Sequence, residues 1–290
     1  MRILDRRARD GRPRSSAALL VAAVGCALVV ALAGWTRLAD PSPTKPHEAG
    51  SDAPLLPGTA GSFVLMQMNL CLSGLAGCYD PAAYPAMVDD VVARIRAANP
   101  DAVTVNEACR ADATRIARSS GYHLRFSTVI YAGERLRCVD PGGRGLFGDA
   151  VLTRARVMSS ENLPFAAQGG LEERRWLCVT TRQDLDVCTA HLSTRRTSAS
   201  TATNDAQCAE VTALLSRRAA DRPVAFGGDV NRVESCAPRG LWTRTDGSAD
   251  QAPGVQHVYG SGDALRSPAV QVLPTARSDH DVLLVRASAR

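Results

Sequence analysis

Short apolar runs that end on, or start from, polar groups recur through this chain. FVLMQMN stops at Asn69, DAVTVNE at Glu107, VCTAH at His191, and PVAFGGDVN at Asp229 and Asn231, while SDH, with Asp279 and His280, directly precedes DVLLV. Runs this short and this apolar read as buried strands rather than helices. A single acid or amide after a strand is ordinary. Its repetition brings carboxylates, amides and imidazoles to one rim, a set suited to a hard metal ion and to proton transfer.

The segments between these runs set the fold class. Strand patterns at Phe63 to Asn69 and Ala102 to Asn106 alternate with helical ones at Pro81 to Ala98 and Ala111 to Ser120, and a strand follows near Leu124 to Tyr131. Pro and three Gly mark Val139 to Gly145 as a loop. Strands resume at Asp149 to Thr153, Glu173 to Thr181 and Leu185 to His191, with a hairpin at Arg182 to Asp186. Ser198 to Ala220 has the period of an amphipathic helix. Further strands are predicted at Val224 to Phe226, Val255 to Tyr259, Val270 to Leu273 and Asp281 to Val285. Early strand–helix–strand units followed by strand-rich segments indicate an α/β (α+β) fold with mixed sheets, not a simple doubly wound one.

Three zones divide the 290 residues. Residues 1–38 carry Arg2, Arg6, Arg7, Arg9, Arg12 and Arg14 ahead of an uncharged, mostly apolar stretch from Ser15 to Thr36, as in a signal peptide or a signal-anchor helix. Residues 39–61 are rich in Pro, Gly, Ser and Asp and read as a flexible tether. Residues 62–290 contain no repeat or low-complexity stretch and suit one catalytic domain. The rest of the chain is therefore expected outside the cell or on the outer face of the cytoplasmic membrane.

Charge and cysteine content narrow the partners. Net charge is +5, but the first 61 residues hold eight Lys/Arg and five Asp/Glu, leaving 26 cations against 24 anions in the remainder. That balance is too weak to argue for nucleic acid from charge. Cys26 aside, eight cysteines remain, without close pairs of the zinc-binding kind, so disulfides in an oxidising compartment are expected. Cys71 with Cys78 would close a short loop, and Cys178 with Cys188 would face across a hairpin. No protein partner is indicated, and a monomer is expected.

In Pro223 to Asn231 the apolar residues carry the chain through a core, paired Gly lets the backbone approach closely, and Asp229 and Asn231 follow two apart. In extended geometry both point to one side. Asn69 and Glu107 offer hard oxygen ligands of the kind Mg²⁺, Mn²⁺ or Ca²⁺ prefers.

These motifs stand in the order found in the endonuclease/exonuclease/phosphatase superfamily, which the chain resembles from about Phe63 to Val285. The matching pieces are Asn69, NPDAVTVNE with Glu107, GDAVLTR around Asp149, TAHLST with His191, GGDVN with Asp229 and Asn231, and SDH with Asp279 and His280. The resemblance implies a four-layer sandwich, two packed mixed sheets flanked by helices, and divalent-metal hydrolysis of a phosphoester. By position, Glu107 would be the main metal ligand with Asn69 and Asp279 nearby, and Mg²⁺ the expected ion. Asp229 would orient or deprotonate water. Asn231 and His191 would stabilise charge on the phosphoryl oxygens, and His280 would act in proton transfer or transition-state stabilisation. Asp149 would position His191 or simply begin a strand.

One position departs from the family pattern. Gln256 stands where members carry an Asp directed at the histidine of SDH, and its amide could fix that imidazole without supplying charge. His47, His123 and His257 belong to no motif, and His257 reads as a core histidine. Arg-rich points at 172–175 and 194–196 are candidates to grip phosphates. Three functions follow from these residues: an exported nuclease or phosphodiesterase acting on DNA or RNA, a phosphomonoesterase or sphingomyelinase acting on lipid head groups, and a non-catalytic binding member. Retention of Glu107, His191, Asp229, Asn231 and His280 argues against the last.

Overall fold

A computed structural model describes residues 61–248, 254–275 and 277–290. The N-terminal segment at 1–38 and the tether, except Gly61, lie outside the described residues. Among the described residues no helix is long and apolar enough to cross a membrane.

Two six-stranded mixed sheets make up the body. In chain order the elements of the first half are β1 (Gly61–Asn69), α1 (Ala86–Ala98), β2 (Ala102–Cys109), α2 (Arg110–Ser120), β3 (His123–Thr128), β4 (Ile130–Tyr131), β5 (Glu134–Arg135) and β6 (Phe147–Thr153). The second half holds β7 (Val157–Pro164), β8 (Glu172–Glu173), β9 (Arg175–Thr181), β10 (Asp186–Ala190), α3 (Ser198–Asp221), β11 (Val224–Asp229), β12 (Leu241–Thr245), β13 (Gln256–Ser261), β14 (Leu265–Leu273) and β15 (Val282–Ala289). The first sheet runs β14-β15-β1-β2-β6-β3 and the second β12-β13-β11-β10-β9-β7, with a small sheet β5-β4-β8 beside them.

Each large sheet contains a parallel pair, β1 with β2 and β10 with β11. Parallel neighbours need a crossover, and a helix supplies it in both cases: α1 in the first sheet, α3 in the second. On α1, Met87, Val88, Val91, Val92 and Ile95 form one apolar face. That face and α2 bury against the outer side of the first sheet, while α3 buries Val211, Leu214 and Leu215 against the outer side of the second. Thr197 starts α3 with a reciprocal cap, its hydroxyl accepting from Ser200 N while Ser200 Oγ accepts from Thr197 N. Between the sheets, Phe63, Leu65, Val151, Leu177, Val179, Val187, Ala225, Val258 and Val285 make the central core. The result is the expected four-layer sandwich.

Differences from the sequence reading lie at edges. β7 and β12 close the two ends of the second sheet, where the apolar pattern predicts no strand. Most of β7 is exposed and every residue of β12 is half-buried, so neither shows the apolar run that betrays a central strand. The expected strand to Tyr131 splits, with Ile130 and Tyr131 joining the small sheet, and the first helix starts at Ala86, after Pro85.

Four disulfides join Cys71–Cys78, Cys109–Cys138, Cys178–Cys188 and Cys208–Cys236. The first and third are the two expected, and Cys178 and Cys188 are direct partners across β9 and β10. Cys71, Cys109 and Cys188 stand two, two and three residues from Asn69, Glu107 and His191. These cross-links pin chain segments beside the polar strand ends.

Candidate functional site

β1 and β2 end side by side in the first sheet and bring Asn69 and Glu107 to one rim, with Asp279 and His280 arriving just before β15. Across the sandwich, His191 follows β10 and pairs with Asp229, the last residue of β11, as an isolated parallel bridge. Two local devices aim these groups. β2 carries a bulge: Val105 pairs with Ala150 and Ala108 with Gly148, leaving Asn106 and Glu107 opposite Asp149. Glu107 adopts the left-handed region, at φ 56°, and this redirects its carboxylate. In β11, a Cβ on Gly227 would lie 2.1 Å from Thr104 Oγ1 in the facing sheet, and one on Gly228 2.3 Å from Ala190 O. Only glycine permits so close an approach at either position.

Asp229 lies at the centre. Its Oδ2 accepts from Asn69 Nδ2 at 3.1 Å and sits 3.7 Å from His191 Nε2 and 3.4 Å from His280 Nε2. Its Oδ1 accepts from Asn231 N at 3.0 Å. Asn69 Nδ2 also donates to Glu107 Oε1 at 2.9 Å, and His191 Nε2 lies 3.9 Å from the same oxygen. Six of the sequence-predicted residues, Asn69, Glu107, His191, Asp229, Asp279 and His280, thus meet within one cluster, and Asn231 adjoins it.

Several placements differ from expectation. Asn69 Oδ1 accepts from Cys71 N at 3.1 Å, so the amide turns its nitrogen to the carboxylates and bridges Glu107 and Asp229 instead of offering an oxygen ligand. Asn231 shares a side with Asp229 through a turn, at φ 52°, not through extended geometry. Its Nδ2 donates to Leu192 O at 2.9 Å, leaving its second N–H for another acceptor. Asp149 supports the β2 bulge, accepting from Asn106 Nδ2 at 3.0 Å and from Glu107 N at 3.3 Å. Gln256 does not hold His280. Its Nε2 donates to Asp281 O, and its Oε1 accepts from Gln67 Nε2 at 3.4 Å.

Two contributors carried little or no sequence signal. Asn106 is wholly buried, and its Oδ1 accepts from Gln67 Nε2 and from Asp229 N, both at 2.8 Å. It ties the two sheets beneath the site, and its only trace was an amide inside an apolar run. Arg174, one of the candidate phosphate grips, forms an ion pair with Glu172 at 3.0 Å and lines a cavity of about 520 Å³ together with Glu107 and His191. Ser73, Leu75, Tyr131, Leu136 and Phe147 make its other wall.

Burial dominates the electrostatics. It pushes the carboxyls of Glu107 and Asp229 upward, against hydrogen bonds from Asn69 and the Arg174 charge, and lifts Asp149 up to about 7. Burial, together with the Arg174 charge, drives His191 well below its ordinary value, so this imidazole is neutral at neutral pH. Two buried carboxylates sharing one amide form a charge excess that a divalent cation would offset. The oxygen donors of Glu107 and Asp279 fit such an ion, whereas the one His/Cys/Asp/Glu cluster of metal-binding compactness among the described residues, Cys71, Cys78 and Asp279, has its sulfurs tied in a disulfide.

The family model of the endonuclease/exonuclease/phosphatase family matches residues 75–280. No curated protein matches the chain. Among solved structures, an endonuclease/exonuclease/phosphatase from Beutenbergia cavernae is similar at 19% identity and TM-score 0.60, covering 79% of this chain and 72% of that one. The human Nocturnin catalytic domain with bound sulfate anion is similar at 17% identity and TM-score 0.60, over 79% and 94% of the two chains. Danio rerio TDP2 complexed with a single-strand DNA product gives 15% identity and TM-score 0.53, over 78% and 98%. With the strand order, the cluster around Asp229 and the family match in agreement, this chain belongs to the endonuclease/exonuclease/phosphatase family.

Proposed function

We propose that the protein is an exported, divalent-metal-dependent phosphodiesterase of the nuclease type. One observation carries this reading: the Asn69 amide and the Nε2 atoms of both His191 and His280 converge within 3.7 Å of a single buried oxygen, Asp229 Oδ2. A carboxylate held this way is built to orient and deprotonate a water. Members of the family are metal-dependent phosphoester hydrolases, and Glu107 with Asp279 would hold the ion, Mg²⁺ first, Mn²⁺ or Ca²⁺ as alternatives. Bound there, the cation would polarise a phosphoryl oxygen.

The chain's own groups supply the rest. Neutral His191 can donate from Nε2 to a phosphoryl oxygen, and the second N–H of Asn231 can join it. Arg174 adds positive charge to the cavity wall. His280 Nε2, beside Asp229, is placed to pass a proton. Export is supported by the basic, apolar N-terminus and by four disulfides.

A second reading has its own observation. Leu75, Tyr131 and Leu171 are exposed, and the first two line the cavity beside Glu107, as a lipid-facing phosphodiesterase would require. The purified protein, with and without EDTA, on plasmid DNA, RNA, sphingomyelin, inositol phosphates and bis-nitrophenyl phosphate separates the two. EDTA-sensitive cleavage of DNA or RNA selects the nuclease, and cleavage of sphingomyelin alone selects the lipid enzyme. Inactivity on all five, unchanged by His280→Ala, rejects both.

A further inference from the structure

The near balance of charge over residues 62–290 hides an uneven distribution. Between residues 110 and 144 stand seven Arg against Asp112, Glu134 and Asp140, which leaves the rest of residues 62–290 with two more acids than bases. Arg144 and Asp112 are buried and paired with each other, so the surplus lies on the surface. Arg110, Arg115, Arg118, Arg125, Arg135 and Arg137 are all exposed. Arg115 forms an ion pair with Asp89 at 2.5 Å, whereas Arg110, Arg118, Arg135 and Arg137 form none among the described residues.

Helical spacing gathers these charges. Arg110, Thr114 and Arg118 recur every four residues along α2, and with Arg115, Ser119 and Gly145 they line a groove of about 540 Å³. A rise of about 1.5 Å per residue puts Arg110 and Arg118 about 12 Å apart along the axis, room for about three phosphates of one strand. Like charges at such spacings repel, and the acid of this helix, Asp112, is turned inward to Arg144 and offsets none of them. The groove adjoins the site. Leu146 bridges Arg137 and accepts the backbone N–H of Arg110 at 2.8 Å, while the next residues along, Leu136 and Phe147, line the cavity that holds Glu107 and His191. Chain-adjacent residues thus form the cavity wall and the rim of the groove.

We propose that this face of α2 is a docking surface for the sugar–phosphate backbone of a nucleic-acid strand, gripping the substrate outward from the scissile phosphate. Unpaired, exposed guanidinium groups in a row complement a polyanion. A membrane surface fits less well: α2 turns its apolar side, Ala113, Ile116 and Ala117, into the core and exposes no large apolar side chain to enter lipid. The choice of nucleic acid over other polyanions rests on the phosphodiesterase reading of the site; the binding of a polyanion does not.

Fluorescence anisotropy of a labelled DNA single strand of about 20 nucleotides tests this, with the protein in EDTA so that binding is read without cleavage. Arg110→Gln with Arg118→Gln is expected to weaken binding tenfold or more and to reduce the slope of log K against log salt by about 1.4, two phosphate contacts at about 0.7 each. Arg266→Gln with Arg286→Gln removes the same charge from exposed positions on β14 and β15, at the other edge of the first sheet, and should leave both quantities nearly unchanged. KM for the oligonucleotide should rise in the α2 variant, while hydrolysis of bis-nitrophenyl phosphate, too small to reach the groove, keeps the wild-type rate. Equal weakening by the two double variants, or none by either, overturns the proposal. So does loss of binding to phosphatidylglycerol vesicles with oligonucleotide binding intact, which would give the face to a membrane. If the wild type binds the strand through Arg110 and Arg118 but cleaves no nucleic acid, the nuclease reading fails and the surface stands. If it cleaves with a KM indifferent to these arginines, the nuclease reading stands and the surface fails.

Discussion

Asp229 and Asp279 both approach His280 Nε2, at 3.4 and 4.0 Å, yet their surroundings are opposites. The Asp229 side chain is 1% exposed, fixed by Asn231 N and Asn69 Nδ2, and ends a strand backed by Asn106. Asp279 is 54% exposed, and its hydrogen bond comes from its neighbour Ser278 at 3.5 Å. The fold has spent its rigidity on one carboxylate and left the other open to solvent. That division would suit the two proposed roles: a pre-set base at Asp229 to hold a water, and an accessible oxygen at Asp279 to help hold a divalent ion.

Substitution should expose this asymmetry. Asp229→Asn is expected to lower metal-dependent hydrolysis of bis-nitrophenyl phosphate by roughly 10²–10⁴-fold, with circular dichroism unchanged. Asp279→Asn should cost only about tenfold, most of it recovered at higher Mg²⁺. Equal losses at the two positions would break the comparison. Arg174→Ala sharpens it from the cavity side. Loss of a charge-assisted hydrogen bond, about 1.5–3 kcal/mol, predicts a rise in KM of tenfold or more with a smaller change in kcat. A pure kcat effect would remove Arg174 from substrate binding.

Smaller effects are expected where the fold supports the open corner. Replacing Cys71 and Cys78 together with Ser releases the loop between Asn69 and the Asp279 side. Chemical unfolding should register a loss of about 2 kcal/mol, at the low end for a short closed loop, alongside weaker activation by Mg²⁺. The last prediction concerns a histidine outside the site. His257 is buried between Tyr259 Oη at 2.7 Å and Gly254 O at 3.0 Å, and burial takes it down to about 4. The unfolded chain binds this proton more readily, so the stabilising contribution is present above pH ~6.5 and is lost as pH falls toward 4. His257→Gln should flatten the urea-unfolding free energy across that window without altering the metal dependence of hydrolysis.

Legibility in the sequence tracked locality. Central strands announce themselves as apolar runs, and Glu107 and Asp229 were visible because they terminate such runs. The bulge was not visible: Asn106 and Glu107 face Asp149 only through the β2–β6 register, which links positions more than forty residues apart. Motif order alone leaves Asp149 to position His191 or simply to begin a strand, and it gives Asn106 no role. β7 and β12 escaped because edge strands lack a buried partner on one side and need no apolar face. Gln256 was assigned to His280 from its place in the motif, but hydrogen bonds from Gln67 and to Asp281 claim its amide.

Under the proposed function, oxygen donors from separate segments, Glu107 on β2 and Asp279 just before β15, would share one divalent cation. Calorimetric titration of the EDTA-stripped protein with Mn²⁺ or Mg²⁺ tests it most directly, using the wild type and Glu107→Gln side by side. One ion per chain, bound roughly 10–100-fold more weakly or not at all once Glu107 is replaced, is the predicted result. Absence of binding in the wild type, or binding indifferent to Glu107, would contradict it.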